Sequence, residues 1–375
     1  MLHAIRLAAP PSEAAEIGVG AADGLLPLIQ YEQVGAWLWH RLRQSGQLSA
    51  NSPRFQKELR DQGLAQAGIN LRIAAVTAQV LTLLADHGIR PVLLKGVACC
   101  ALAERYPFFR YRQTSDADLL VEPGAAERAW RLLRVSGFRE ATTAPGVHPD
   151  HHHLPTLISD AQVPVEIHSS ASLFWSAEES WARFGATARA VAWQGAPALV
   201  PANTELLWHG VAHSLGDGAP GCRLRNFLTA AAFIAADHEL DWDIIRDRIE
   251  RDQLRDHDSR HPLPKGAVKR WLAAAAWIAG RELPMGLGRG FDPESDLTRL
   301  VGFRKRRLAA WPSTHRGQQM AARWMEEAAR AQFTLGLGRR AHWQTQTGRP
   351  RRLASSLVFQ SLYRMTSWRG MDTTQ

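Results

Sequence analysis

Arg112-Gln-Thr-Ser-Asp-Ala-Asp-Leu-Leu-Val121 sets two aspartates two positions apart at the mouth of an apolar run. Alternate residues of a strand point to one face, so Asp116 and Asp118 converge on one spot. Hard divalent cations such as Mg²⁺ take oxygen ligands and keep positions open for water or phosphate oxygens. Two such carboxylates therefore make a seat for a metal-bound triphosphate. Taken alone the pair is unspecific, because paired acids at a strand end also cap turns or face solvent.

The segments around the pair sharpen it. Upstream, residues 89–94 read as a short buried strand, Lys95-Gly96 as a turn, and the Ala-rich stretch after it as a helix. A turn that opens a helix offers backbone N–H groups and a positive dipole end to an anion. Gly96 would let the backbone approach phosphate and Lys95 would add charge; a plain strand-to-helix turn with a solvated lysine is the other reading. Arg112 either clamps phosphate oxygens in bidentate fashion or pairs with Asp116 or Asp118 to offset their repulsion. Downstream, Val163-Pro-Val-Glu-Ile-His168 alternates so that Glu166 faces away from Val165 and Ile167. A carboxylate on a neighbouring strand would complete a two-metal site. His168 shares the face of Glu166, as a polar ligand or proton carrier or as an ordinary residue of a solvated face.

Further outward, residues 24–88 follow a helical pattern that Gly88 ends as a C-cap. Strands are expected at 117–121 and 138–142, a helix at 126–135, and a hairpin from 157–160 and 163–168. From about Glu178 strand signals fade and helices dominate, at 204–215, 223–236, 242–251 and 269–278, with linkers at 256–264 and 283–295. The fold class expected is α+β: a small mixed sheet flanked by helices, with N-terminal helices and a helical C-terminal domain. The divisions are 1–88, an N-terminal helical segment; 89–177, the core; 178–300, a helical domain; and 301–375, a basic Trp/Arg-rich region.

The string from Pro91 to Gly96, then Tyr106, the 112–121 segment, Gly137-Phe138 and Val165-Glu-Ile-His168 resembles the uncharacterised nucleotidyltransferase family, a bacterial branch of the polymerase-beta-like superfamily. The family pattern falls residue by residue on Lys95, Gly96, Arg112, Ser115, Asp116, Asp118, Glu166 and His168. The resemblance implies a two-metal Mg²⁺ site at Asp116, Asp118 and Glu166, which are also the catalytic residues. It implies nucleotide binding by Lys95, Gly96, Arg112, Ser115 and His168, and transfer of a nucleoside monophosphate from a nucleoside triphosphate such as ATP. Two departures stand out. The wider superfamily carries Gly-Gly or Gly-Ser where this chain has Lys-Gly, and relatives carry an aspartate in the helix where this chain has only Asn226 and Thr229.

Composition bounds the rest. In 375 residues, 45% apolar and 22% charged is the make-up of a globular protein. Three cysteines cannot supply a disulfide framework, and the sequence shows neither a signal-peptide pattern nor a membrane span, so a cytoplasmic protein is expected. The net charge of +9 is a C-terminal property: residues 301–375 hold 14 basic against 3 acidic residues, leaving 31 against 33 before them. Trp311, Trp324, Trp343 and Trp368 interleave with those arginines, a pattern of base stacking, anionic-peptide binding, or an amphipathic helix docked on the body or on a membrane surface. Trp37, Trp39, Trp271 and Trp277 fall in apolar helical segments and belong to the core. His148, His151, His152 and His153 form either a polar loop or, with the ligand type though not the cysteines of a zinc site, a transition-metal site; because the loop leads into the Glu166 strand, one of them is also expected over the nucleotide pocket. The expected partners are the triphosphate and a small-molecule or peptide acceptor, with nucleic acid less favoured. A reading from another class is a non-catalytic protein of the same fold that binds a peptide or nucleic acid through its basic C-terminus.

Overall fold

The computed structural model describes residues 22–141, 152–172, 174–215, 223–236, 239–251 and 265–310. The expectations for His148, His151, the linker 256–264, Cys222 and the basic, Trp-bearing stretch 311–375 lie outside them.

Helices α1 (Leu26–Glu32) and α2 (Gly35–Gln44) lead into the long α3 (Pro53–Asp86). Pro53 begins α3, where its missing N–H costs nothing, and Ser52 Oγ accepts the Phe55 N–H at 3.0 Å. At its far end Gly88 adopts φ +73°, the expected left-handed stop. By length and composition α3 is the one described helix able to cross a membrane. In the fold its Phe55, Leu59, Ile73, Val80, Leu81 and Leu84 are buried in the shared core.

β1 (Val92–Leu93) passes through Lys95 into α4 (Lys95–Ala101); β2 (Ala117–Leu120), α5 (Ala126–Val135), β3 (Arg139–Glu140), β4 (Leu157–Ile158) and β5 (Pro164–His168) follow. After α6 (Ala177–Ser180) come β6 (Arg189–Trp193) and β7 (Ala196–Val200), and then the helices α7 (Asn203–Leu215), α8 (Leu224–Ala235), α9 (Trp242–Glu250), α10 (Lys265–Ala279) and α11 (Pro293–Ala310). The sheet runs β3-β4-β5-β2-β1-β7-β6. β2 is parallel to β5 and β1 to β7, while β1–β2, β3–β4, β4–β5 and β6–β7 are antiparallel. The expected α+β class, mixed sheet and flanking helices are all present.

One expectation is corrected. Residues 178–300 read as helical, yet β6 and β7 lie there, and β7 pairs with the central β1. Gln194 and Gly195 both take positive φ, 50° and 83°, the backbone of a two-residue hairpin turn. The alternation of Trp193, Ala196, Ala198 and Val200, all buried, fits such a hairpin.

Trp37 and Trp271 are core residues and Trp39 and Trp277 pack against the core. A bidentate pair, Arg248 Nη1 and Nη2 on Glu205 Oε2 and Oε1 at 2.9 and 2.5 Å, ties α9 to α7 inside the helical layer.

Candidate active site

The register of β2 against β5 builds the site. Asp118 is aligned with Glu166 and Leu120 with His168. Aligned residues of parallel strands share a face, and residues two apart on one strand do too, so Asp118, Glu166 and His168 meet on one side. His168 Nε2 lies 3.0 Å from Asp118 Oδ1 and 3.5 Å from Glu166 Oε2. One ligand atom from each of the three falls within 4.8 Å of the others. Asp118 and His168 are wholly buried, and Asp118 Oδ2 and His168 Nδ1 have no hydrogen-bond partner. An orphaned carboxylate oxygen at zero exposure is costly, and a cation relieves it.

Lys95 supplies a cation from the chain itself. Its Nζ lies 2.7 Å from Asp118 Oδ1 and 3.9 Å from Glu166 Oε2. The reach comes from a backbone that lysine adopts at a cost, φ +45°, at the first residue of α4. Behind it Gly96 is buried, and a Cβ there would fall 2.5 Å from Thr114 Cγ2 and 2.9 Å from Arg112 Nη1. What the glycine admits in this fold is those two side chains.

Asp116 sits in the bend just before β2, outside the tight cluster, with Ser115 Oγ donating to its Oδ1 at 3.1 Å. Ser115 itself is exposed. Arg112 is buried and does not pair with either aspartate: its Nε donates to Thr229 Oγ1 at 3.0 Å and its Nη1 to Gln113 O at 3.2 Å. Two amides of α3 hold this loop by its backbone, Gln66 on Thr114 O at 3.4 Å and Asn70 on Arg112 O at 3.1 Å. The structure thus brings Lys95, Asp118, Glu166 and His168 into contact, sets Asp116 beside them and turns Arg112 toward α8.

Each ionisation follows from this packing. Burial resists the charge on Asp118, but Lys95 and the His168 hydrogen bond outweigh it and hold the carboxyl well below the usual range. Glu166 is likewise lowered: burial pulls it up and the His168 bond pulls it further down. Burial and then Asp118 push Asp116 up to about 6. Burial and Lys95 depress His168, yet its bonds to Asp118 and Glu166 prevail and raise it. Burial would lower Lys95 too, but Asp118, Glu166 and Asp116 hold its ammonium above the ordinary lysine range. The site is a closed network of alternating charge in which the two innermost carboxylates stay ionised.

Sequence reading missed Thr156 and Arg225 but pointed to a histidine of the 148–153 run beside the Glu166 strand. Thr156 Oγ1 donates to Glu166 Oε1 at 3.3 Å, and His153 Nε2 lies 3.9 Å from Glu166 Oε2. His153 bridges to His168, so the end of the histidine run lines the edge of β5, with the His152 and His153 rings 5.1 and 5.2 Å from that of His168. The adjacency of that run to the Glu166 strand was the signal for this. Arg225 of α8 gave no signal: its Nη1 donates to Gln113 O at 3.3 Å from 112 residues away in the chain.

The model of the family described as "Uncharacterised nucleotidyltransferase" matches residues 21–261 of this chain. No curated protein matches it. Among solved structures, it is similar to an antigenic nucleotidyltransferase-like protein from Paracoccidioides brasiliensis, at 15% identity and a TM-score of 0.31 over 49% of this chain and 90% of that one.

Proposed function

The chain belongs to the uncharacterised nucleotidyltransferase family, and from that membership and the site geometry we propose a metal-dependent transfer of a nucleoside monophosphate from a nucleoside triphosphate to an acceptor. The acceptor is a hydroxyl or phosphate on a small molecule, peptide or protein. The single observation that carries the reading is the buried, unpartnered Asp118 Oδ2 within a cluster completed by Glu166 and His168. The carboxylates of Asp118 and Glu166 fit a hard divalent cation such as Mg²⁺ or Mn²⁺, with His168 orienting Asp118 beside it, and Asp116 with Asp118 would hold a second. When bound, the metal neutralises the triphosphate and its leaving group.

The chain's own residues do the rest. Lys95, tethered at the cluster, neutralises phosphate oxygens as they arrive. Gln66 and Asn70 fix the loop that carries Arg112 and Asp116, so that donor and acceptor meet in one orientation. In the transfer the acceptor oxygen bonds to the α-phosphorus and the bond from that phosphorus to pyrophosphate breaks; a hydroxyl acceptor gives its proton to a site carboxylate, whereas a phosphate acceptor attacks as its oxyanion. Asp116→Ala combined with Asp118→Ala is expected to abolish incorporation of labelled nucleotide, and unchanged turnover would refute the reading.

One observation favours a second reading. The Lys95 ammonium already neutralises Asp118, as it would in a non-catalytic member of the fold that binds a peptide or nucleic acid. Calorimetry with ATP, GTP, CTP and UTP separates the two: metal-dependent binding supports transfer, and binding that is absent or indifferent to metal supports the second.

A further inference from the structure

Two guanidinium groups converge on one neutral acceptor at the α8 side of the site. Arg112 Nη1 and Arg225 Nη1 both donate to the Gln113 carbonyl oxygen, at 3.2 and 3.3 Å. Arg112 is buried, with its Nε on a hydroxyl, Thr229 Oγ1. Arg225 is half-buried, and its Nε is enclosed without a hydrogen-bond partner. Neither arginine forms an ion pair among the described residues. Burial, then Arg112 and then Arg223, pull the Arg225 guanidinium down to about 9 against the opposing field of Asp116. The cavity that Arg112 opens onto is lined by Lys95, Cys99, His209, Asn226 and Thr229 among others, and none of the side chains lining it is acidic.

Like charges held together on a shared carbonyl, one of them buried and the other half-buried, are unfavourable by themselves and favourable around a multiply charged anion. The planar fork of arginine matches phosphate oxygens in bidentate fashion. We propose that Arg112 and Arg225 form a phosphate-binding subsite on the α8 side of the carboxylate cluster. The proposal rests on the nucleotidyl-transfer reading only for the source of that phosphate, which is either the polyphosphate end of the donor or a phosphate carried by the acceptor.

The test uses the full chain in EDTA, so that binding does not depend on metal at the carboxylates, with inorganic tripolyphosphate and orthophosphate as probes. Tripolyphosphate is expected to raise the melting temperature of the wild type and to give a calorimetric isotherm. Arg225→Gln should weaken that binding at least tenfold and Arg225→Lys less, while Arg131→Gln, on the exposed face of α5, should leave it unchanged. Absence of any shift in the wild type overturns the proposal, as does Arg225→Gln binding like the wild type. If Arg225→Gln fails to fold, the wild-type shift and the Arg225→Lys titration still decide. Displacement of tripolyphosphate by ATP identifies the donor as the source, and simultaneous binding of the two identifies a phosphorylated acceptor. Loss of binding in Arg225→Gln in a protein that transfers no nucleotide upholds the subsite and refutes the transfer reading; transfer with binding insensitive to Arg225 does the reverse.

Discussion

Lys95 Nζ lies 2.7 Å from Asp118 Oδ1, so a lysine in a left-handed backbone neutralises a carboxylate with no exposure of its own. Removing one partner of such a pair strands the other charge, at a cost of roughly 3–5 kcal/mol. Lys95→Met is therefore expected to destabilise the metal-free protein by about that amount in urea unfolding. Mn²⁺ or Mg²⁺ should then stabilise the variant more than the wild type, because the ion takes over the charge that the ammonium supplied. Equal metal-induced shifts in the two proteins would mean that the cation site and the lysine site are separate.

Asp116 gives the pH dependence its sign. Burial and Asp118 raise it to about 6 from an ordinary value of 3.8. Above about pH 6 the carboxylate is ionised in both folded and unfolded chains, and the folded state carries its charge unfavourably. Between about 6 and 3.8 the folded chain takes up a proton that the unfolded chain does not, so this group favours folding increasingly as the pH falls. Asp116→Asn should thus be more stable than the wild type at pH 8 in EDTA, and the advantage should shrink toward pH 4. Urea unfolding at pH 8, 6 and 4 reads the difference; an advantage that grows on acidification contradicts the assignment.

Gly96 faces Thr114 Cγ2 and Arg112 Nη1 at distances a Cβ cannot share. Gly96→Ala is expected to destabilise by about 1–3 kcal/mol through overpacking. Thr114→Ser removes the nearer atom, so the double variant should lose less than the sum of the single ones. Additive losses would show that the strain lies elsewhere in α4.

How far the sequence foretold this depends on the range of each interaction. Glu166 was legible because alternation on one strand is local, and the β2–β5 register then delivers it to Asp118. Helix 126–135 was legible with Gly137 as its stop, and the structure has Ala126–Val135 with Gly137 at φ +98°. The β6–β7 hairpin was passed over because Gln-Gly is a quieter turn signal than Asn-Gly and its strands are Ala-rich, although both turn residues take the positive φ of such hairpins. The Arg112 and Arg225 meeting on Gln113 O was not legible at all: it exists only once α8 packs on the loop after α4, and no spacing in the chain encodes it.

In α8 the partner that Arg112 finds is a hydroxyl rather than a carboxylate. Thr229 Oγ1 accepts from Arg112 Nε at 3.0 Å, a neutral partner for a buried cation. A carboxylate at that point would take the guanidinium in a charge-assisted bond about twice as strong and compensate it within the fold. Thr229→Asp is therefore expected to fold at least as stably as the wild type yet bind tripolyphosphate at least tenfold more weakly, since the anion must compete with a resident carboxylate. Thr229→Asn, which offers an acceptor of the same shape without charge, should keep most of the affinity. Parallel calorimetric titrations separate charge from shape, and equal affinities in the two variants would mean that the charge left open on Arg112 is not what draws the anion.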